Sequence, residues 1–275
     1  MTAVPPEVLI QYRTTDQDDV ATDVPDSHIE PLYAVLHSPT LRAAMHIMQI
    51  SVQMLNQQTT CSWTAPPRSV MVHTRNMAQH QLLTLYDGPD HSQAPWRLQG
   101  TTRLEALDAV AQPAALLFSD LVLLPLPPTS GTRPRLLREL LSAVCAVSFR
   151  PQQMAGSAVR QSPSTPTTTS PIPPSTSPLQ HLHEHLHLWA TLLLAIGSLT
   201  HHPSTPSESA LVGEIDNYCL SYLSTQTTLQ AEPGEESWTA ANKVMKQFLW
   251  WDYVLDAPGR DTWGRVAAMK TVGRD

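Results

Sequence analysis

Residues 104–144 read LEALDAVAQPAALLFSDLVLLPLPPTSGTRPRLLRELLSAV. Leu104, Leu107, Ala111, Ala115 and Phe118 recur at steps of three and four, the spacing that lines up one face of an α-helix. Pro113 falls inside that face. A proline in mid-helix removes a backbone hydrogen bond and crowds the preceding turn, so a kink or break is expected there. The run LVLLPLPPTSG (121–131) then stops the helix with three prolines and a glycine. Beyond it Leu136, Leu137, Leu140, Leu141 and Val144 form a second amphipathic stripe. Two helices in succession, with no alternation of period two between them, point to an all-α chain.

The same period recurs on both sides. Leu41, Met45, Met48, Val52 and Leu55 follow Pro39, a residue that the first turn of a helix tolerates. The stretch from Ser69 to Leu85 is weaker, with Val70, Met77 and Leu82 as inner positions. Helical character returns from His181 to Leu199, and again at Leu211, Ile215, Cys219 and Tyr222. In the last strong helix Ser237 reads as an N-cap before Trp238, with Ala241, Val244, Phe248 and Trp251 on one side. The expectation is an all-α bundle or array of about eight to ten helices.

Two segments stand outside this pattern. Residues 1–27 are polar, acidic and punctuated by proline, which predicts disorder. Residues 150–179 include SAVRQSPSTPTTTSPIPPSTSP, too poor in aliphatic groups to offset the entropy of ordering, and read as a linker or loop insertion. Ser162, Thr165, Ser170 and Ser177 each precede a proline there and could accept phosphate, although a plain low-complexity spacer accounts for them as well. The helical part is thereby divided into halves, 28–149 and 180–270.

Composition narrows the function classes. The formal charge is −7 and the lysines are Lys243, Lys246 and Lys270 alone, so no basic stripe exists to neutralise phosphates, and no cluster reads as a nuclear import signal. Cys61, Cys145 and Cys219 are far apart, which excludes a disulfide framework or a structural zinc site of cysteines and suits a reducing compartment. No signal peptide is legible at the start. The most apolar run, Leu188 to Leu199, is shorter than the ~20 residues that span a bilayer, so no membrane association is expected.

Read in order, certain of these segments resemble a known family. They are AALLFSD (114–120), VLLPLPP (122–128) and Gly131; then Leu188, Trp189 and Gly197; then Trp238, Phe248-Leu249-Trp250, Gly259 and Trp263. The set is similar to the helical C-terminal regulatory domain of fungal-specific transcription factors, over roughly residues 28–270. That family places an Arg-Leu where Gln112-Pro113 stands here, and its members carry a six-cysteine binuclear zinc cluster, for which this sequence lacks the cysteines. The resemblance implies a nuclear transcription regulator without its own DNA reader, the cluster being lost or encoded upstream. It would work by contact with a full-length factor or by self-association, with no direct nucleic-acid binding, no enzyme activity and no cofactor. Many members control neighbouring biosynthetic genes, and that is the kind of target implied.

One tract competes with that reading. His183-Glu184-His185-Leu186-His187 fits H-E-x-x-H, in which two histidines one turn apart hold a zinc ion and the glutamate serves as base. A third ligand is needed, and Ala190 stands where the extended motif has glycine; Glu208 or Glu214 could serve, with Pro203 and Pro206 intervening. Yet His181, His183, His185 and His187 alternate, so they spread over both sides of a helix and cannot share one site. The tract is therefore read as the structural or solvated start of an ordinary helix, able at most to bind metal adventitiously through His181/His185 or His183/His187. A zinc-dependent hydrolase is the alternative. Trp189, Trp238, Trp250, Trp251 and Trp263 could line a small-molecule pocket or an exposed contact surface, but are read as core; Cys145 and Cys219 likewise. No catalytic, DNA-binding or metal residue is assigned.

Overall fold

The structure, a computed structural model, describes residues 36–59, 67–86, 103–125, 131–148, 178–225 and 235–272. Among them are eight α-helices and no strand, so the chain is all-α. In chain order the helices are α1 (Pro39–Thr59), α2 (Arg68–Tyr86), α3 (Arg103–Phe118), α4 (Thr132–Ser148), α5 (Pro178–Leu199), α6 (Pro206–Thr225), α7 (Glu235–Met245) and α8 (Asp252–Val272). Residues 1–27 and most of the 150–179 linker lie outside the described residues. The end of that linker does not: α5 already begins at Pro178, since proline fits a first helical turn.

Helix α1 buries the expected Leu41, Met45, Met48 and Val52. Its start is capped twice. The Leu41 amide donates to Ser38 Oγ at 3.2 Å, and the amides of His37 and Ser38 donate to Asp108 of α3 at 2.9 and 2.6 Å. On the inner face of α2 the expected Leu82 is buried, but its companions are Met71, Thr74 and Ala78, while Val70 and Met77 are half-buried. Thr74 can face inward because its hydroxyl donates to the Val70 carbonyl one turn back, at 2.9 Å, and leaves only a methyl to pack.

Pro113 does not break α3, which continues to Phe118. The lost hydrogen bond costs about 3 kcal/mol. Burial of Leu107, Ala111, Ala114, Ala115, Leu117 and Phe118 more than offsets it, since each large apolar side chain contributes about 2 kcal/mol. The chain then widens into a π-helical turn, Ser119–Leu123, closed by the Leu124 amide donating to the Ser119 carbonyl at 2.8 Å. By length and composition Glu105–Leu123 could cross a bilayer, but 78% of that window is buried inside the protein, as in any core helix.

Helix α5 is the axis of the structure and touches α3, α4, α6, α7 and α8. Every residue from Leu186 to Ser198 is buried. Helices pack this closely only where a small residue lets them: a Cβ on Gly197 would lie 3.0 Å from Leu137 and 3.2 Å from Leu117. The last expected helix is in fact two. It starts at Glu235, so Ser237 is not its N-cap, and it ends at Met245. A bend through Phe248, Leu249 and Trp250, all buried, leads into α8. That helix carries Pro258, Gly259 and Gly264, which hide its period, and it buries Leu255, Thr262, Trp263 and Val266.

Candidate functional site

The histidine tract lies in the first turns of α5. His181 is exposed, while His183, Glu184 and His185 are half-buried. His187 is only 5% exposed, so the last histidine of the tract is a structural one and the solvent-facing ones precede it. The helical period explains the gradient: His187 stands one position from Leu188 and Trp189, at the point where α4 and α6 close over α5.

Three hydroxyl or imidazole groups from three helices meet at that point. His187 Nε2 lies 2.9 Å from the Tyr218 hydroxyl of α6 and 3.3 Å from Ser148 Oγ at the end of α4. Ser148 and Tyr218 are 3.0 Å apart, and Ser148 Oγ donates to the Val144 carbonyl at 3.0 Å. Beneath them the His187 ring stacks on Tyr222, with centroids 4.3 Å apart and planes 11° from parallel. The Nε2–H tautomer of His187 gives the chain one direction. The single proton of Ser148 goes to Val144, so Ser148 accepts from Tyr218; the single proton of Tyr218 is then used, so Tyr218 accepts from His187. The order is then Nε2–H of His187 to Tyr218, Tyr218 to Ser148, Ser148 to Val144, which accounts for three of the four contacts, and the same Nε2–H also faces Ser148 at 3.3 Å. With the proton on Nδ1 instead, Ser148 and Tyr218 would face each other with lone pairs.

Electrostatics agree with a neutral, closed cluster. Burial, and then the neighbouring His183, hold His187 down at about 3. Burial likewise pushes Tyr218 and Tyr222 well above the ordinary tyrosine range. The cluster behaves as a polar lock joining α4, α5 and α6.

The metal reading meets the same atoms. The rings of His183 and His187 stand edge to face with centroids 6.4 Å apart. The Nε2 of His187 is already engaged with Tyr218 and Ser148. Neither acidic residue considered as a third ligand joins them. Glu208 caps α6, accepting from the Ser204 amide at 2.7 Å and its hydroxyl at 2.9 Å, while Glu214 is exposed and acts on Cys145. Among the described residues no group of three or more His, Cys, Asp or Glu is placed to hold a metal. His185 is turned toward Gln247, and burial, then His181, lowers its proton affinity.

The remaining candidates are core. Trp189, Trp238, Trp250 and Trp263 are buried and Trp251 is half-buried, so they do not form an exposed contact surface. Burial, and then Glu214, raises the Cys145 thiol; burial, and then Asp216, raises that of Cys219, which donates to the Thr191 carbonyl at 3.6 Å. Neither is poised as a thiolate. Cys61 lies outside the described residues.

A second polar centre, unforeseen in the sequence, sits at the other end of α5. Asp120, 2% exposed in the π-turn, accepts from Arg133 Nε of α4 at 2.6 Å, and Arg133 reaches on to the Thr200 carbonyl at 3.4 Å. The signal was an acid inside the apolar run AALLFSDLVLL, which can be buried only with a cation in reach. Tyr218 and Tyr222 also left a trace: they stand one helical turn apart beside the buried Cys219. Comparison with protein-family models, with curated protein sequences and with solved structures finds no match.

Proposed function

We propose that the chain is a helical regulatory module that acts by contact with another protein, of the kind carried by fungal-specific transcription factors, and that it has no DNA-binding cluster or catalytic centre of its own. One observation carries this reading: the separated segments that resemble the family pack against one another. Trp189 of the Leu-Trp segment donates its indole N–H to the Leu249 carbonyl of the Phe-Leu-Trp segment at 2.9 Å, and its ring stacks 5.6 Å from Phe248. Gly259 lies under Trp238 and Trp250, where a Cβ would come within 2.6 Å of the former. Trp263 donates to Ser237 at 3.1 Å. Gly197 packs on Leu117, from the AALLF segment. Residues picked out by resemblance are thus tied together by contacts that demand those residue types.

The test is to fuse the full chain to an unrelated DNA-binding domain and to follow a reporter gene together with the location of the untethered protein. Altered transcription with nuclear accumulation is expected. An unchanged reporter and a protein confined to the cytoplasm would reject the reading. Tightly held stoichiometric zinc that is lost in His183→Ala would favour the hydrolase instead.

A further inference from the structure

We infer that His201 is a proton-operated latch between the end of α5 and the start of α6. Its side chain is 2% exposed, and neither ring nitrogen has a hydrogen-bond partner. Its Nε2 stands 3.6 Å from Glu208 Oε2, too far for a neutral hydrogen bond but within ion-pair reach. Buried polar atoms are almost always bonded, so an imidazole left with both nitrogens idle beside a carboxylate is a group kept one proton short of its partner.

The surroundings favour the charge when it arrives. His201 follows the last turn of α5, and its amide donates to the Ser198 carbonyl at 3.2 Å, which sets the ring near the negative end of that helix. Glu208 of α6 is an anion held below the usual carboxylate range, first by the Ser204 amide and then by the Ser204 hydroxyl, with His201 among the further causes. On the α4 side the cation is Arg133, which bonds the adjoining Thr200 carbonyl, but its charge is matched by Asp120 of the π-turn. The neighbouring His202 is exposed. Burial opposes charging; the carboxylate, the helix end and the idle nitrogens favour it.

The consequence is local. Glu208 already clamps Ser204, and its amide donates to Thr205 Oγ at 3.2 Å, so the first turn of α6 hangs on this carboxylate. An imidazolium at His201 draws that carboxylate inward and ties the α5–α6 connection to the core. At higher pH the neutral ring leaves the connection held by the cap alone. Charging of the ring therefore tightens this connection.

Amide hydrogen exchange of the full chain tests it, read at Glu208 and Ser209 between pH 8 and pH 5.5 after correction for intrinsic rates. The expected result is protection that rises several-fold on acidification in the wild type and stays flat in both His201→Asn and Glu208→Gln. The glutamine keeps an oxygen for the Ser204 amide, so the cap survives and only the charge is lost. Flat protection in the wild type, or a rise that persists unchanged in Glu208→Gln, overturns the latch.

Discussion

Near the start of α5, His187 is buried among Tyr218, Ser148 and Tyr222 with its ring nitrogen bonded; just beyond the end of the same helix, His201 is buried as deeply with neither ring nitrogen hydrogen-bonded. The sites are separated by roughly 18 Å of helix. Burial is the same, so the difference lies in how the protons are matched. At His187 each proton meets one acceptor in sequence, and a further proton, on Nδ1, would place a charge in a buried site. At His201 the nearest acceptor is a carboxylate just out of range, and a further proton would complete the pairing. One imidazole is a structural strut that acid damages; the other is a switch that acid closes.

The largest test of that contrast is acid itself. His187 sits at about 3 in the folded chain, while an unfolded histidine titrates near ~6.5. As pH falls the unfolded chain binds the proton first, so this stabilisation is complete above ~6.5 and is lost on going down to about 3. The loss runs at ~1.4 kcal/mol per pH unit, on the order of 5 kcal/mol in all. Urea unfolding across this range should show it in the wild type and not in His187→Phe; equal slopes in the two would remove His187 as the strut.

A purely steric change sets the scale for the polar ones. Gly259→Ala drives a methyl against Trp238 and should cost about 2 kcal/mol, the overpacking penalty less the helix propensity gained. Its thermal midpoint should fall whatever the pH, whereas effects at either histidine should change with pH.

At pH 8 the two imidazoles can be compared directly by replacing each with phenylalanine. His187→Phe leaves Tyr218 without its donor and should cost about 1 kcal/mol in urea unfolding. The smallest effect is expected at the other end. His201→Phe removes two unbonded buried nitrogens and should lie within about 0.5 kcal/mol of the wild type, or stabilise slightly. If His201→Phe proves the costlier of the two, the contrast between the ends is wrong.

Much of the scaffold was legible because helix faces repeat locally. Leu41, Met45, Met48 and Val52, and the run Leu136 to Val144, could be read from spacing and are buried. Reading failed where small or special residues carried the pattern: Thr74 and Ala78 on α2, Pro113 in a helix that packing sustains, and Pro258 with Gly259 in α8, whose glycine is there to admit two tryptophans. The candidate site was half legible. His187 stood out in its tract, but its partners Ser148 and Tyr218 lie 39 and 31 residues away, and no local rule links them.

By itself the sequence determined an all-α chain and most of its inner faces, because helical periodicity is a property of neighbouring residues and is written within a few turns. Only the tertiary structure decided which histidine is dry and bonded, which is dry and idle, and which acid meets which cation. Those outcomes depend on the distance and proton count between groups from different helices, and neither exists until α4, α5 and α6 have packed.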